Sequence, residues 1–263
     1  MKKLAHIFIY IFAAIGFILV VGYLAVKFGL TNTKGIVDNQ HDYFQNQTTD
    51  DTWRQGNEWQ VLKEAVAKDS DAIDKASSET GVPARIIVAP LVVEQLRLFY
   101  TDREVFKDVF APLKILGNQS QFSWGVMGIK QDTARQIESN LKDSASPFYL
   151  GADFEHILDF KTTDPDSERF ARLTDDHDRS YSYLYGALDI KELEVQWKNA
   201  GIPIDDKPDI IATLFNIGFN NSKPHPNPLS GGAEIDIGSS TYSFGSLAKS
   251  FYDSDELTAQ FPK

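Results

Sequence analysis

The longest uninterrupted apolar segment of the chain, residues 4–26, restricts its fold more than any other feature. The sequence LAHIFIYIFAAIGFILVVGYLAV contains no acidic residue, no lysine and no arginine. At about 1.5 Å of rise per helical residue, it is long enough to cross a hydrocarbon core of roughly 30 Å. We therefore expect one N-terminal transmembrane helix, with residues 1–28 as a membrane anchor.

A cleaved signal peptide is the alternative interpretation of this segment. The apolar run is longer than the usual core of about 7–15 residues, and no clear small-x-small cleavage site follows it. Lys2 and Lys3 precede the run, and Lys27 and Lys34 follow it, so the positive-inside rule gives a modest bias. That bias favours a cytoplasmic N-terminus. We expect a single-pass protein of the cell membrane with its main domain on the periplasmic or extracellular side.

The rest of the chain is strongly acidic. Residues 1–27 contain three lysines and no acidic residue, so residues 28–263 carry −14, three units below the −11 of the whole chain. This charge repels phosphate backbones, and nucleic acid is not an expected partner. The chain has no cysteine, which excludes disulfides, thiolate metal ligands and cysteine nucleophiles.

Spacing of the apolar residues divides the chain further. Residues 29–58 are polar without sustained periodicity, which predicts a linker. Apolar residues recur at helical spacing through much of residues 59–263, which predicts one mainly helical domain. From Trp59 to Thr80 they share one face, which predicts a single first helix ending at Gly81. The segment AEIDIGSSTYSF alternates apolar and polar residues about a turn, which predicts a short β-hairpin.

Glu94 is the most unusual residue of the domain. It lies in ARIIVAPLVVEQLRLFY, a segment too uniformly apolar for a surface helix, and Pro90 predicts a kink one turn before it. A carboxylate in such a helix must be paired, hydrogen-bonded or held partly neutral. A structural ion pair with Arg97 or Arg85 is the alternative to a catalytic role.

Two further segments have features of a ligand site. FSWGVMGIKQDTA places Gly125 and Gly128 around two apolar residues before a new helix, and such a turn allows close approach of backbone to a ligand. ATLFNIGFN predicts a helix that ends at Gly218 with Asn216 near its cap. The Asn216 amide either faces a cleft or caps the helix. Neither segment is specific by itself.

Taken in order, the three segments resemble the soluble lytic transglycosylase family and its relatives, the goose-type lysozymes. The counterparts are GVPARIIVAPLVVEQ with Glu94, SWGVMGIKQ and ATLFNIG, and together they span roughly residues 60–220. The resemblance implies a mainly α, lysozyme-like helical domain over residues 59–263 with a small β-hairpin. The chain departs from the family at Gln95 (usually Ser), Lys130 (Met) and Phe215 (Tyr), and its 95–122 segment is longer.

The same resemblance implies an activity. A family member cuts the MurNAc-GlcNAc β-1,4 bond of peptidoglycan glycan strands, with Glu94 here as the single acid and base, and leaves a 1,6-anhydro muramyl end. The substrate's acetamido group stabilises the developing charge, so the resemblance implies no metal and no cofactor. The expected substrate-binding residues are Ser123, Gly128, Ile129, Gln131, Phe215 and Asn216.

Two other functions stay open. A lysozyme-type hydrolase on the same fold would use a second carboxylate, for which the candidates are Asp102, Asp108 and Asp132. A non-catalytic peptidoglycan-binding scaffold of an envelope complex would keep the cleft alone. An acidic stretch lacks the spacing of a calcium loop, and we expect it to be a solvated loop; it contains Asp175, Asp176, His177 and Asp178.

Overall fold

The computed structural model describes residues 16–17, 51–101 and 123–263, and these are mainly helical, as predicted. The described helices are α1 (Asn57–Lys68), α2 (Ser70–Thr80), α3 (Ala84–Thr101), α4 (Gln131–Lys142), α5 (Pro165–Thr174), α6 (Ser180–Asn199), α7 (Pro208–Ile217) and α8 (Phe244–Asp253). The strands are β1 (Ser123–Trp124), β2 (Ile129–Lys130), β3 (Glu234–Ile237) and β4 (Ser240–Ser243).

The predicted transmembrane helix lies almost wholly outside the described residues. Of residues 4–26, the structure describes Gly16 and Phe17, both helical. Within residues 51–101 and 123–263, no helix is long and apolar enough to cross a bilayer. The membrane anchor therefore stays a prediction from the sequence.

Helix α3 is at the centre of the domain, as its uniformly apolar sequence predicts. Every residue from Arg85 to Glu94 is buried, and the helix packs against α1, α2, α6, α7 and α8. It continues through Pro90, although proline cannot donate to the carbonyl group one turn earlier. Because neighbouring helices surround α3, tertiary packing stabilises a helix that proline weakens locally.

The single helix predicted from Trp59 to Thr80 is wrong, because α1 and α2 meet at Asp69. Its N–H is bonded to the carbonyl oxygens of Ala65 and Val66, at 3.3 and 3.2 Å. Its carboxylate accepts hydrogen bonds from the hydroxyl of Tyr183 on α6 (2.5 Å) and from the guanidinium of Arg179, the residue before α6 (3.0 Å). A contact with a distant helix therefore holds the break, and periodicity along α1 and α2 cannot reveal it.

The predicted hairpin is present as β3 and β4. The strands are antiparallel, with Glu234 opposite Ser243 and Ile237 opposite Ser240. Ile235 and Ile237 are buried while Glu234 and Asp236 are exposed, which is the alternation of a strand with one buried face. A second antiparallel pair, β1 with β2, was not predicted, because two-residue strands have no detectable periodicity.

Buried side chains fix the two ends of the described domain. Trp53 is 1% exposed, packs edge-on against Trp59 at 4.9 Å between ring centroids, and donates to the Ser250 hydroxyl at 2.9 Å. Arg85 is also 1% exposed and donates to five carbonyl oxygens of residues 251–261. Because two of those carbonyl groups belong to the last turn of α8 and three follow it, Arg85 caps that helix.

Candidate functional site

Glu94 occupies the middle of α3 with 3% of its surface exposed. Both of its carboxylate oxygens accept hydrogen bonds from the Nη2 atom of Arg97, at 2.5 Å for Oε1 and 2.6 Å for Oε2. The Arg97 side chain is 14% exposed. Of the two partners suggested by the sequence, Arg97 is the one that pairs with Glu94, while Arg85 binds carbonyl groups in the last turn of α8 and beyond it.

The contact with Arg97 fixes the hydrogen-bonding role of both Glu94 oxygens. A guanidinium nitrogen only donates hydrogen bonds, so both oxygens of Glu94 act as acceptors, which is the arrangement of an ionised carboxylate. A buried charge without its partner is strongly destabilising. Arg97 is therefore the group that makes a buried carboxylate tolerable in this conformation.

Gly128 lies directly against the Glu94 side chain. A Cβ atom added at Gly128 would be 2.5 Å from Oε1 of Glu94 and 2.6 Å from its Cδ and Cγ atoms. Gly128 also has φ +65°, a left-handed conformation that favours glycine. Both the backbone angle and the lack of space at this position therefore require glycine. The turn was predicted to lie close to a ligand, and in the structure its backbone lies against Glu94.

The turn of residues 125–128 is fixed at both ends. The Gly128 N–H donates to the carbonyl oxygen of Gly125 at 3.2 Å, and pairing of Trp124 with Ile129 closes the loop. Gly125 has φ +64°, and a side chain there would collide with the carbonyl oxygen of Leu173. The turn therefore lies between the end of α5 and the face of α3 that carries Glu94.

Two side chains hold the middle of this turn. The Gln95 amide donates to the carbonyl oxygen of Val126 at 2.5 Å, so the residue next to Glu94 ties the turn to α3. Met127 is fully buried and packs against Gly186 of α6, where an added Cβ would be 2.6 Å from the Met127 Cε. The sequence had marked Gln95 only as a departure from a family pattern, and it gave no signal for this bond.

The remaining predicted residues of the second segment follow the turn. Ile129 is buried in β2, and Gln131, 7% exposed, is the first residue of α4. Ser123 belongs to β1 and is the pairing partner of Lys130; its side chain lies outside the described part of the structure. The structure thus brings Glu94 and Gly128 into contact and places Ile129 and Gln131 next along the chain.

The third segment has a different set of contacts. Asn216 and Phe215 lie in the last turn of α7, a helix that packs against α3. The Asn216 Oδ1 atom accepts from the Ala233 N–H at 2.8 Å, and an added Cβ at Gly232 would be 2.9 Å from that oxygen. This amide therefore anchors the segment that leads into β3. Phe215 is half-buried against the hydrophobic core.

Of the three candidates for a second carboxylate, only Asp132 lies among the described residues. Asp102 and Asp108 lie outside the described residues. Asp132 is on the first turn of α4, with a carboxylate 67% exposed and 3.7 Å from Nη1 of Arg135. An exposed carboxylate lacks the apolar surroundings of Glu94.

The acidic stretch before α6 forms hydrogen bonds with its own backbone. The Asp175 carboxylate accepts from the N–H groups of His177 (2.8 Å) and Asp178 (3.1 Å), and these bonds lower the pKa of Asp175. Asp178 accepts in turn from the Ser180 N–H at 3.0 Å. Across residues 51–101 and 123–263, no group of three or more His, Asp or Glu side chains is arranged to hold a metal ion.

A buried pair of acidic residues on α6 is a feature that the sequence analysis missed. Asp189 and Glu192 are 1% and 0% exposed. Burial raises the pKa of both carboxyl groups, that of Glu192 to about 10, although the Asn140 amide donates to Glu192 at 2.7 Å. The sequence contains a signal for this burial. The two acids are three residues apart on a helix that has apolar residues on all of its faces.

No protein-family model, no curated protein and no solved structure matches this chain. The geometry around Glu94 and the resemblance carried by three segments are what indicate a function.

Proposed function

We propose that this protein is a membrane-anchored lytic transglycosylase that cleaves the MurNAc-GlcNAc β-1,4 bond of peptidoglycan, with Glu94 as its acid and base on a lysozyme-like fold. One observation carries the proposal: Gly128 packs against the Glu94 carboxylate so closely that no side chain fits between them. Two segments that the sequence associates with one site are thus in contact.

Glu94 performs both proton transfers in the proposed reaction. As an acid it donates a proton to the glycosidic oxygen, and the bond from that oxygen to C1 of the muramyl sugar breaks. The ionised Glu94 then accepts the proton of the C6 hydroxyl as that oxygen bonds to C1. The proton returns to Glu94, and the products are a free 4-hydroxyl end and a 1,6-anhydro end, without water, metal or cofactor.

The proposed substrate-binding residues are of types that can hold sugar rings. Gly128 contributes backbone without a side chain, so no side chain at this position obstructs a ring that approaches the turn. Gln131 and Asn216 have amides that can bond hydroxyl and acetamido groups. Phe215 offers an apolar surface to a sugar face, and Ser123 and Ile129 complete the proposed binding set.

Two alternatives share this site. A lysozyme-type hydrolase would share the same acid and differ in using water. A non-catalytic peptidoglycan-binding scaffold of an envelope complex is favoured by the Glu94–Arg97 ion pair, because a paired carboxylate can serve structure alone. The predicted anchor of residues 1–28 would hold any of the three at the cell membrane, with the domain on the periplasmic or extracellular side.

Product analysis tests the proposal. The full chain in detergent micelles would be incubated with purified cell wall in water enriched in heavy oxygen, and the released muropeptides identified by mass. We expect 1,6-anhydro products lacking the heavy isotope. Reducing ends that contain it would establish the hydrolase instead, and a complete lack of released muropeptides would favour the scaffold.

A further inference from the structure

The peptide group that joins Val126 to Met127 is hydrogen-bonded at both ends by side chains of two different helices. Its carbonyl oxygen accepts from Nε2 of Gln95 on α3 at 2.5 Å, and its N–H donates to Oγ of Ser182 on α6 at 3.4 Å. The carbonyl and N–H groups of a trans peptide point in opposite directions. The turn is therefore held between α3 and α6, and a shift towards either helix weakens the bond to the other.

Gln95 provides the stronger of these two bonds. The 3.4 Å between the Met127 nitrogen and Ser182 is longer than the usual N–H···O distance of about 2.7–3.2 Å, whereas the Gln95 amide is in close contact with its acceptor. Ser182 and Met127 are 1% and 0% exposed, while Gln95 is half-buried. The Gln95 bond can therefore be removed without opening a cavity in the core.

The same turn carries Gly128, which lies against Glu94. Glu94 and Gln95 are consecutive residues of α3, and Val126 precedes Gly128 by two residues. One part of the turn is thus bonded to Gln95, and another packs on the Glu94 side chain, where an added Cβ would be 2.5 Å from Oε1. Displacement of Val126 away from α3 would carry Gly128 away from the Glu94 carboxylate.

We propose that Gln95 is a positioning residue for the reaction: by holding Val126, it keeps the Gly128 backbone against Glu94 and restricts the position of the carboxylate from that side. This inference rests on the proposed function and adds to it a residue that acts through the turn rather than on the substrate. A misplacement of about 1 Å at a reacting group can reduce catalysis about a hundredfold. A hydrogen bond that fixes the turn therefore has a measurable effect on the rate.

Replacing Gln95 by methionine tests this role. Methionine has nearly the same length but no amide, so the Val126 carbonyl group loses its donor while the side chain keeps its volume. Muropeptide release by the full chain in detergent micelles would be measured with saturating cell wall, below the melting temperature of each variant. A hydrogen bond contributes up to about 1.5 kcal/mol, so we expect Gln95→Met to lower this rate about tenfold.

A double variant distinguishes positioning from a general loss of stability. Gly128→Ala by itself disturbs the contact between the turn and Glu94, so removal of the Gln95 bond has little left to change there. The chain with both Gln95→Met and Gly128→Ala should therefore release muropeptides at about the rate of Gly128→Ala alone. Independent effects would multiply instead, with a further loss of about tenfold.

Gln196→Met is the matched control. Gln196 is also a half-buried helical glutamine whose amide donates to a backbone carbonyl oxygen, that of Ser222 at 3.2 Å, but it lies on α6 and holds a different segment. Gln196→Met should lose stability and keep the full rate. Ser182→Ala removes the acceptor at the other end of the clamped peptide and should also slow release, which tests the proposal if Gln95→Met fails to fold.

The outcomes separate this inference from the proposed function. If folded Gln95→Met releases muropeptides as fast as the unaltered chain, or if its effect multiplies with that of Gly128→Ala, Gln95 does not position Glu94 and the proposed function stands. If Gln196→Met slows release as much as Gln95→Met, the effect is one of stability and the inference is again refuted. If the unaltered chain releases nothing from cell wall, both proposals fail.

Discussion

Replacing Gly128 by alanine tests the packing at the candidate site. The new methyl group would be 2.5 to 2.6 Å from three atoms of Glu94, whereas carbon atoms in good contact are about 3.5–4.0 Å apart. To restore normal contact distances the Glu94 carboxylate must move by about 1 Å, away from its position beside Arg97. A misplacement of this size can reduce catalysis about a hundredfold. The left-handed backbone adds a stability cost of roughly 1–2 kcal/mol.

Gly81→Ala is the matched control for this substitution. Gly81 has φ +71°, close to the +65° of Gly128, but nothing lies within 4 Å of an added Cβ. Both variants should lose stability from backbone strain, measured by urea unfolding, and Gly128→Ala should lose more because of its overlap with Glu94. Only Gly128→Ala should lose muropeptide release. If Gly128→Ala is as active as Gly81→Ala, the position of the Glu94 carboxylate does not matter for activity and our reading of the site is wrong.

Three further substitutions test the buried interactions. In the folded protein the pKa of Glu192 is about 10, above its ordinary value of 4.5, so the folded state holds a proton that the unfolded state has lost and stability falls as pH rises between these values. Glu192→Gln should reduce this slope by up to about 1.4 kcal/mol per pH unit in urea titrations. An unchanged slope would contradict the raised pKa of Glu192. Arg85→Met leaves five carbonyl groups without their donor and should cost at least about 3 kcal/mol by denaturant unfolding. A loss below about 1 kcal/mol, the value of one hydrogen bond, would mean that solvent replaces Arg85. Trp53→Ala empties a site that is 1% exposed and should cost about 3–5 kcal/mol; a small loss would show that residues 51–55 are not part of the cooperative fold.

The buried central helix and the hairpin were predictable because their apolar patterns are local. The sequence ARIIVAPLVVEQLRLFY leaves no polar face, and AEIDIGSSTYSF alternates along its length. Glu94 was noticeable for the same reason, since it interrupts the apolar run of α3. The resemblance assigned Glu94 and Gly128 to one site, but the sequence did not predict that the two residues are in contact.

Other features depend on contacts between distant residues, and the sequence could not reveal them. The break at Asp69 is held by Tyr183 on α6 and by Arg179 just before that helix. Arg85 reads as a partner for Glu94, but the last turn of α8 and the chain that follows it place carbonyl groups around Arg85.

The rate of muropeptide release by Glu94→Gln, measured beside the unaltered chain, tests the central claim most directly. Glutamine keeps nearly the same shape but can neither donate nor accept the proton that the reaction moves, and general acid and base catalysis contributes roughly 10²–10⁴-fold. Glu64→Gln, at an exposed position of α1, is the matched control and should be fully active. We predict that Glu94→Gln loses at least about a hundredfold in rate while remaining folded; a folded Glu94→Gln that releases muropeptides as fast as the unaltered chain would contradict the assignment of Glu94.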